Sequence, residues 1–466
     1  MKIYNSLTKQ KEEFVTIKEN EAKIYACGPT VYNYIHIGNA RPICVFDTLR
    51  KYLEFKGYKV NFVQNFTDVD DKIINKANQE GVSSTDISEK FIEEYKKDAT
   101  GLSVSPATNH PKVTENISEI IELVKTTIEK GYGYQVGGDV YFRASKFEEY
   151  GKLSSMPLDD LKAGARIETG DIKENPMDFV LWKSAKAGEP FWESPWGKGR
   201  PGWHIECSAL AKKYLGETID IHCGGQDLIF PHHENEIAQS ESANGVAFSH
   251  YWMHNGYINV DNKKMSKSIG NFFTTREVAE KFGYEPIRFM MIASHYRSPI
   301  NYSLEIIEQS ISALERLNNF SENLNFALSN AKDKVISKEQ IKQLEDSRQK
   351  FIDAMEDDLN TADALASIYD LVREVNPYLS ASEIESKEYL LEVRNLFDTL
   401  TEILGIKPKA KSNEIPQEVL DLVEKRKEAK ANKDFALADE IRANVSTLGY
   451  TIEETRQGIK IVKNKN

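Results

Sequence analysis

The chain has 466 residues, 40% of them hydrophobic and 28% charged, with 26 Gly and 15 Pro; this excludes collagen-like, low-complexity and largely disordered proteins and allows about three domains. Four cysteines exclude a disulfide scaffold and fit a reducing, cytoplasmic setting, and with no long apolar run and no apolar leader core, neither a membrane span nor a secretory signal is expected. The net charge of −12 speaks against a surface built throughout for nucleic acid, yet it divides unevenly: residues 407–466 carry 13 Lys+Arg against 10 Asp+Glu, a net of +3, which leaves −15 on the other 406.

Residues 23–27 predict a short buried strand, followed by a loop at Gly28-Pro29-Thr30. Val45, Phe46, Leu49, Tyr52 and Leu53 recur at helical spacing and predict a helix from Asn39 or Ala40 to Lys56, stopped by Gly57. Residues 59–65 return as a second apolar strand. Strand, helix, strand is a βαβ unit, which requires parallel strands and a right-handed crossover. Over 116–199 the pattern turns irregular, with a glycine-rich turn region at 131–138 and an aromatic stretch at 179–196, as in an inserted, partly β module. Regular elements return as a helix over 203–215, a strand over 218–223 and a helix beginning near Pro231 or His232.

From Ser303 the chain turns helical. Ile307, Ile311, Leu314, Leu317, Leu324 and Leu328 form one apolar stripe, and Leu365, Ile368, Val372, then Leu396, Phe397 and Leu400, mark two more helical runs. Residues 407–412 read as a basic linker. The tail predicts helices at 417–432 and 435–448 and a hairpin over 450–462.

Three segments carry chemistry. His36-Ile37-Gly38-Asn39 stands where the first strand hands over to its helix. A helix N-terminus presents unpaired N–H groups and a positive dipole end, which suit phosphate, and Gly38 permits close backbone approach. Neither a Walker loop nor a dinucleotide fingerprint is present, and an isolated His-Ile-Gly is more often a capped helix with a surface histidine. Lys263-Lys264-Met265-Ser266-Lys267-Ser268 sets three lysines in a Gly-bounded loop. Such a loop is either solvated or a clamp for phosphates as charge develops; Met265 weighs against a purely solvated role.

His232 and Glu236 lie at i and i+4, on one helix face. A zinc protease motif would need histidine where Ile237 stands, so that reading fails. Zinc held by His232, Glu236 and cysteine thiolates stays open, without a C-x-x-C spacing to decide it. Cys44 and Cys223 sit in apolar surroundings and read as small core residues.

Taken together, the His-Ile-Gly helix start and the Lys-Met-Ser-Lys-Ser loop resemble the motif pair of class I aminoacyl-tRNA synthetases, and within that class the chain closely resembles the cysteinyl-tRNA synthetase family. The likeness runs through residues 27–41, 65–72, 201–208, 230–239, 264–272, 357–361 and 433–439, in the family's order. It implies an α/β fold: a Rossmann-type parallel-sheet catalytic core with an inserted module, then an α-helical bundle and a small C-terminal α/β tail. The implied divisions are 1–115 and 200–255 for the two halves of the core, 116–199 for the insertion, 256–303 for the lysine loop and stem-contact region, 304–406 for the bundle and 407–466 for an anticodon-binding tail.

The resemblance also implies roles. Cys27, Cys207, His232 and Glu236 match ligands of one zinc ion that binds the substrate thiolate. Thr67, Trp203 and Asp227 match the cysteine pocket. Thr30, His36, Gly38, Asn39 and Lys267 are expected to bind ATP, with Asn39 in place of the motif's second histidine. His36, Asn39, Lys264 and Lys267 are the expected catalytic residues. The implied reaction is ATP-dependent activation of L-cysteine and transfer to the 3′ end of tRNA(Cys), with Mg2+ accompanying ATP, by a monomer that meets no membrane.

A metal answers a physical need. Oxygen and sulfur have similar shapes, and an apolar or hydrogen-bonding pocket separates such isosteres by only ~10²-fold. Zinc selects thiolate directly. Four protein ligands would close a tetrahedral site, so Glu236 is the ligand expected to yield or the zinc becomes five-coordinate. Two rivals share some of these features: the cysteine ligases of thiol-cofactor biosynthesis, which lack the region after Ser303, and a non-catalytic zinc protein that binds RNA through its tail. The tail departs from many relatives, with Gly458-Ile459-Lys460-Ile461 where they carry Gly-Thr-x-Trp.

Overall fold

Two short antiparallel strands, β1 (Lys2–Asn5) and β2 (Gln10–Glu13), precede the first crossover. β3 (Glu21–Ala26) leads into α1 (Ile37–Phe55), and β4 (Lys59–Gln64) returns parallel to β3. The helix begins earlier than its apolar spacing predicts because His36 is its cap. The His36 ring accepts from the Asn39 N–H, and the Asn39 side chain accepts from the His36 N–H, a reciprocal capping box. Gly57, at φ +92°, ends the turn beyond it.

The computed structural model describes residues 1–155, 173–260, 263–264, 273–379, 386–408, 416–455 and 458–464. They form two compact units, Met1–Ser310 with Asp353–Ala362 and Ile403–Ile406, and Ile311–Ile352 with Asp363–Glu402 and Lys407–Asn466.

In the first unit, α2 (Asp71–Glu80), α3 (Ser84–Gly101) and α4 (Ile117–Glu129) follow β4. An antiparallel sheet, β5 (Gly133–Val136), β6 (Asp139–Phe142), β7 (Phe179–Ser184) and β8 (Gly199–Pro201), then interrupts the parallel one. This is the inserted module that the irregular stretch predicts, with Phe142 stacked on Phe179 at 4.9 Å. α5 (Trp203–Leu215) and β9 (Ile219–Gly225) resume the core, followed by α6 (Glu234–Asn244) and β10 (Ser249–Asn255).

The parallel sheet has the order β10-β9-β3-β4. The β3-to-β4 and β9-to-β10 connections therefore run in opposite directions. With right-handed crossovers this puts α1 and α6 on opposite faces, the doubly wound arrangement of a Rossmann-type core. Tyr25 and Val63 pack with Leu210 and Ile237. Beyond β10 come β11 (Ile258–Val260), β12 (Lys263–Lys264), α7 (Thr275–Phe282), α8 (Tyr284–Ile292) and β13 (Ile300–Tyr302). Ile37, Ala40 and Cys44 of α1 pack with Ile287 and Met291 of α8. Cys44 and Cys223 are fully buried, as small core residues.

The helical region comprises α9 (Leu304–Asn330), α10 (Lys338–Glu356), α11 (Thr361–Leu379) and α12 (Lys387–Ile403). Ile307, Leu314, Leu317 and Leu324 of the predicted stripe are buried, and Ile311 and Leu328 half-buried. In the tail, α13 (Gln417–Ala431), α14 (Phe435–Thr447) and the hairpin β14 (Tyr450–Thr455)–β15 (Gly458–Lys463) share a core of Val419, Val423, Ile441, Val445, Tyr450 and Ile452. Among the described residues, no helix is long and apolar enough to cross a membrane.

Candidate active site

The carboxyl ends of β3, β9 and β10 open onto one cavity of about 870 Å3. Its position comes from the sheet order. β3 and β9 are neighbours whose connections leave in opposite directions, and a ligand crevice forms at such a switch point. Cys27, Thr30, His36, Gly38, Asn39, Trp203 and Asp227, all named from the sequence, line it. Thr67 does not: its hydroxyl is buried, donating to Glu206 Oε2 at 2.8 Å and accepting from Asn65 Nδ2 at 3.2 Å. Lys264 is placed on β12, paired with Asn259 of β11, and Lys267 lies outside the described residues.

Beside the cavity, Cys27, Cys207, His232 and Glu236 come together, with one donor atom from each within 4.8 Å of all the others. They arrive from three places. Cys27 follows β3, Cys207 is on α5, and the other two lie at the start of α6. The regular helix begins at Glu234, and Pro231 just before it keeps Phe230 extended at φ −136°, ψ 133°. A π turn over Ile229–His233 bridges the gap. It still leaves His232 Nε2 3.0 Å from Glu236 Oε1, while His204 meets the other ring nitrogen of His232 at 2.9 Å.

The cluster's electrostatics are those of a site suited to a cation. Burial pushes the Glu236 carboxyl up, but the imidazoles of His222 and His232 outweigh it and hold Glu236 well below the usual carboxylate range. His232 is opposed by burial, yet Glu236 beside it lifts it to about 10. The Cys207 thiol is lowered to about 6, first by the Cys27 thiol donating to it and then, against burial, by His232. Cys27, half-buried and facing that thiolate, is pushed well up, first by its loss of solvent. Two thiols, an imidazole and a carboxylate in one shielded place fit zinc in donor chemistry.

Sequence reasoning missed the further histidines around this cluster. Cys27 and Glu236 also form a set with His222 and His233, again within 4.8 Å. His222 Nε2 lies 2.8 Å from Glu236 Oε2, His233 Nε2 3.3 Å from Cys27 Sγ, and His233 Nδ1 2.8 Å from His254 Nε2. The signal was present in Ile219-Asp220-Ile221-His222-Cys223, a histidine inside a run fit for a buried strand, where a polar side chain needs a partner. Asn65 was missed too. Its Oδ1 accepts from the Gly28 N–H at 2.9 Å and the Tyr25 hydroxyl at 3.1 Å, tying the loop after Cys27 to the end of β4. Gly28 must be glycine here, since a Cβ would lie 1.6 Å from the Asn65 carbonyl oxygen.

Comparison with known proteins agrees with this architecture. The catalytic domain of class I (C) tRNA synthetases matches residues 13–312, and the DALR domain matches residues 350–407. A cysteine–tRNA ligase of Clostridioides difficile (strain 630) is 55% identical over 463 residues, 99% of each chain. One of Caldicellulosiruptor saccharolyticus is 54% identical over 468 residues, covering each chain fully. Among solved structures, Mycobacterium tuberculosis methionyl-tRNA synthetase in complex with methionyl-adenylate superposes with a TM-score of 0.60 at 15% identity, covering 82% of this chain and 89% of that one, a likeness of fold alone. With relatives more than half identical over nearly all of both chains, the chain belongs to the cysteine–tRNA ligase family of class I aminoacyl-tRNA synthetases.

Proposed function

We propose that the protein joins L-cysteine to tRNA(Cys) in two steps at the cavity between β3 and β9. The cysteine carboxylate attacks the α-phosphorus of ATP, forming cysteinyl-adenylate and releasing pyrophosphate. The 2′-hydroxyl of the terminal adenosine of the tRNA then attacks the carbonyl carbon and releases AMP. The observation that carries this reading is the convergence of Cys27, Cys207, His232 and Glu236 beside a cavity at the switch point of the sheet.

The ATP phosphates belong at the start of α1, where the helix dipole favours an anion. His36 lines that end of the cavity. Its Nδ1 accepts the Asn39 N–H, so in the neutral ring the proton sits on Nε2, a donor suited to a phosphate oxygen. Asn39, Gly38 and Thr30 complete this wall. Lys264 and Lys267 are assigned to the charge that develops on the departing pyrophosphate. Mg2+ accompanies ATP.

Cys27, Cys207, His232 and Glu236 would hold zinc, which when bound supplies a soft Lewis acid for the substrate thiolate. Trp203 and Asp227 face the cavity and are assigned to the bound cysteine; Thr67 is held by Asn65 and Glu206. The same reading makes the protein a cytoplasmic monomer, in keeping with four free thiols.

Exchange of labelled pyrophosphate into ATP tests the proposal. Exchange with cysteine, much weaker exchange with serine, loss on chelation and recovery with zinc are expected. Equal exchange with serine would overturn selection by the metal; no exchange with any amino acid would overturn the activity itself.

A further inference from the structure

Arg41 and Asp358 both grip one turn of the first unit, Arg41 through its carbonyls and Asp358 through its side chains. Arg41 is closed off from solvent. Its Nη1 donates to the carbonyls of Gly256 at 2.8 Å and Tyr257 at 3.1 Å, and its Nη2 to those of His295 at 3.2 Å and Ser298. Its Nε is buried without a hydrogen-bond partner among the described residues. Burial alone lowers it to about 10, with no carboxylate among the described residues to raise it. A buried charge held by carbonyl dipoles is costly to maintain, which fits a guanidinium whose task is to align those carbonyls.

The carbonyls it aligns come from two segments. Gly256 and Tyr257 follow β10 and line the cavity, at the wall beside the α1 start where the nucleotide is assigned. His295 to Ser298 form the turn between α8 and β13. The Gly256 N–H donates to the Tyr296 carbonyl at 2.9 Å, and the Ile300 N–H to the Tyr257 carbonyl at 2.9 Å. A Cβ at Gly256 would lie 2.6 Å from the Arg297 carbonyl oxygen. Any displacement of the turn therefore moves the cavity wall.

Asp358 holds the side chains of that turn. Its fully buried carboxylate accepts from the Tyr296 hydroxyl, Arg297 Nε and the Tyr4 N–H, each at 2.8 Å. Asp358 and Leu359 both lie in the left-handed region, at φ +61° and +51°. A buried leucine there is strained, and such strain persists only where the surroundings over-determine it. Asp358 stands in the short link between α10 and α11, so a segment outside the parallel-sheet core sets the position of a core turn.

We infer that Asp358 is a positioning residue for ATP, holding the Gly256–Tyr257 wall in place through the 295–298 turn and Arg41. The inference rests on the adenylation reading above. In cysteine-dependent pyrophosphate exchange, Asp358→Asn should raise the KM for ATP about fivefold or more while the KM for cysteine and the zinc content stay within about twofold. Tyr296→Phe, which removes a single hydroxyl, should shift the KM for ATP the same way but less. Because Arg41 acts on the same turn, Arg41→Lys combined with Asp358→Asn should cost less than the product of the two single effects. An unchanged KM for ATP in the Asp358 and Tyr296 variants overturns the inference, as does an equal rise in both KM values, which would indicate general loosening. If the parent protein shows no cysteine-dependent exchange, the adenylation reading fails by itself. Equilibrium dialysis of ATP against the parent and Asp358→Asn then decides the clamp, and equal Kd values would sink it.

Discussion

His232 Nε2 lies 3.0 Å from Glu236 Oε1, one helical turn further along the chain, with both side chains shut away from solvent. The other oxygen of the same carboxylate meets His222 Nε2 at 2.8 Å. A single buried carboxylate is thus shared between two imidazoles, so the metal-free cluster is itself a polar network whose members depend on each other.

Glu236→Gln breaks that network from its centre. His232 then keeps its proton without a buried counter-charge, or gives it up. Breaking a buried pair by removing one partner costs about 3 kcal/mol or more. Urea denaturation of the chelator-treated protein should show a loss of that size, and metal analysis of the untreated variant should show reduced zinc. An unchanged midpoint would contradict the network.

The Cys207 thiol should ionise early. Lowered to about 6 against a usual value of 9.0, it gives the metal-free protein a thiolate absorbance in the ultraviolet that rises through about pH 6 and is missing in Cys207→Ser. The linked stability has the opposite sense to that of a raised group. It is complete above pH 9.0, the usual value, and is lost as the pH falls through about 6. A titration that begins only above about pH 8 would refute this.

Gly28→Ala tests how the first donor is held. The added Cβ cannot coexist with the Asn65 carbonyl oxygen, 1.6 Å away, so the loop after Cys27 must move and take its thiol with it. Loss of such outer support weakens metal binding about tenfold or more. Competition with a coloured chelator reads the affinity directly; parent-like affinity would show that the loop is not what seats Cys27.

Lys267→Ala addresses the leaving pyrophosphate. If this lysine acts on charge that develops only as the α-phosphate bond breaks, turnover should fall steeply while the KM for cysteine stays near that of the parent. A raised KM with normal turnover would assign the residue to ground-state binding instead.

Elements governed by a period or a cap were legible in the sequence. Val45, Phe46, Leu49, Tyr52 and Leu53 placed α1, and the strands on either side of it implied a parallel sheet. The four metal donors were not legible that way. His232 and Glu236 share a helix face, but Cys27 and Cys207 are joined to them only by the sheet order, which no spacing encodes; the family resemblance supplied the set. His222 and His254 escaped because they sit within strands without a motif. The left-handed pair at Asp358 and Leu359 carried no glycine or asparagine to announce it. Pro231 was visible, yet the π turn between it and the regular helix start at Glu234 is one that local propensity does not foresee.

The strand order has a consequence for synthesis. Ile24 of β3 pairs with Ile221 of β9, so the sheet cannot close until the whole insertion has been made and the second half of the core has left the ribosome. Until then Cys27 stands without the other three donors, and closing so distant a pair is entropically slow. Metal capture must therefore be a late event, and the finished donor set is itself a report that both halves of the core have found each other.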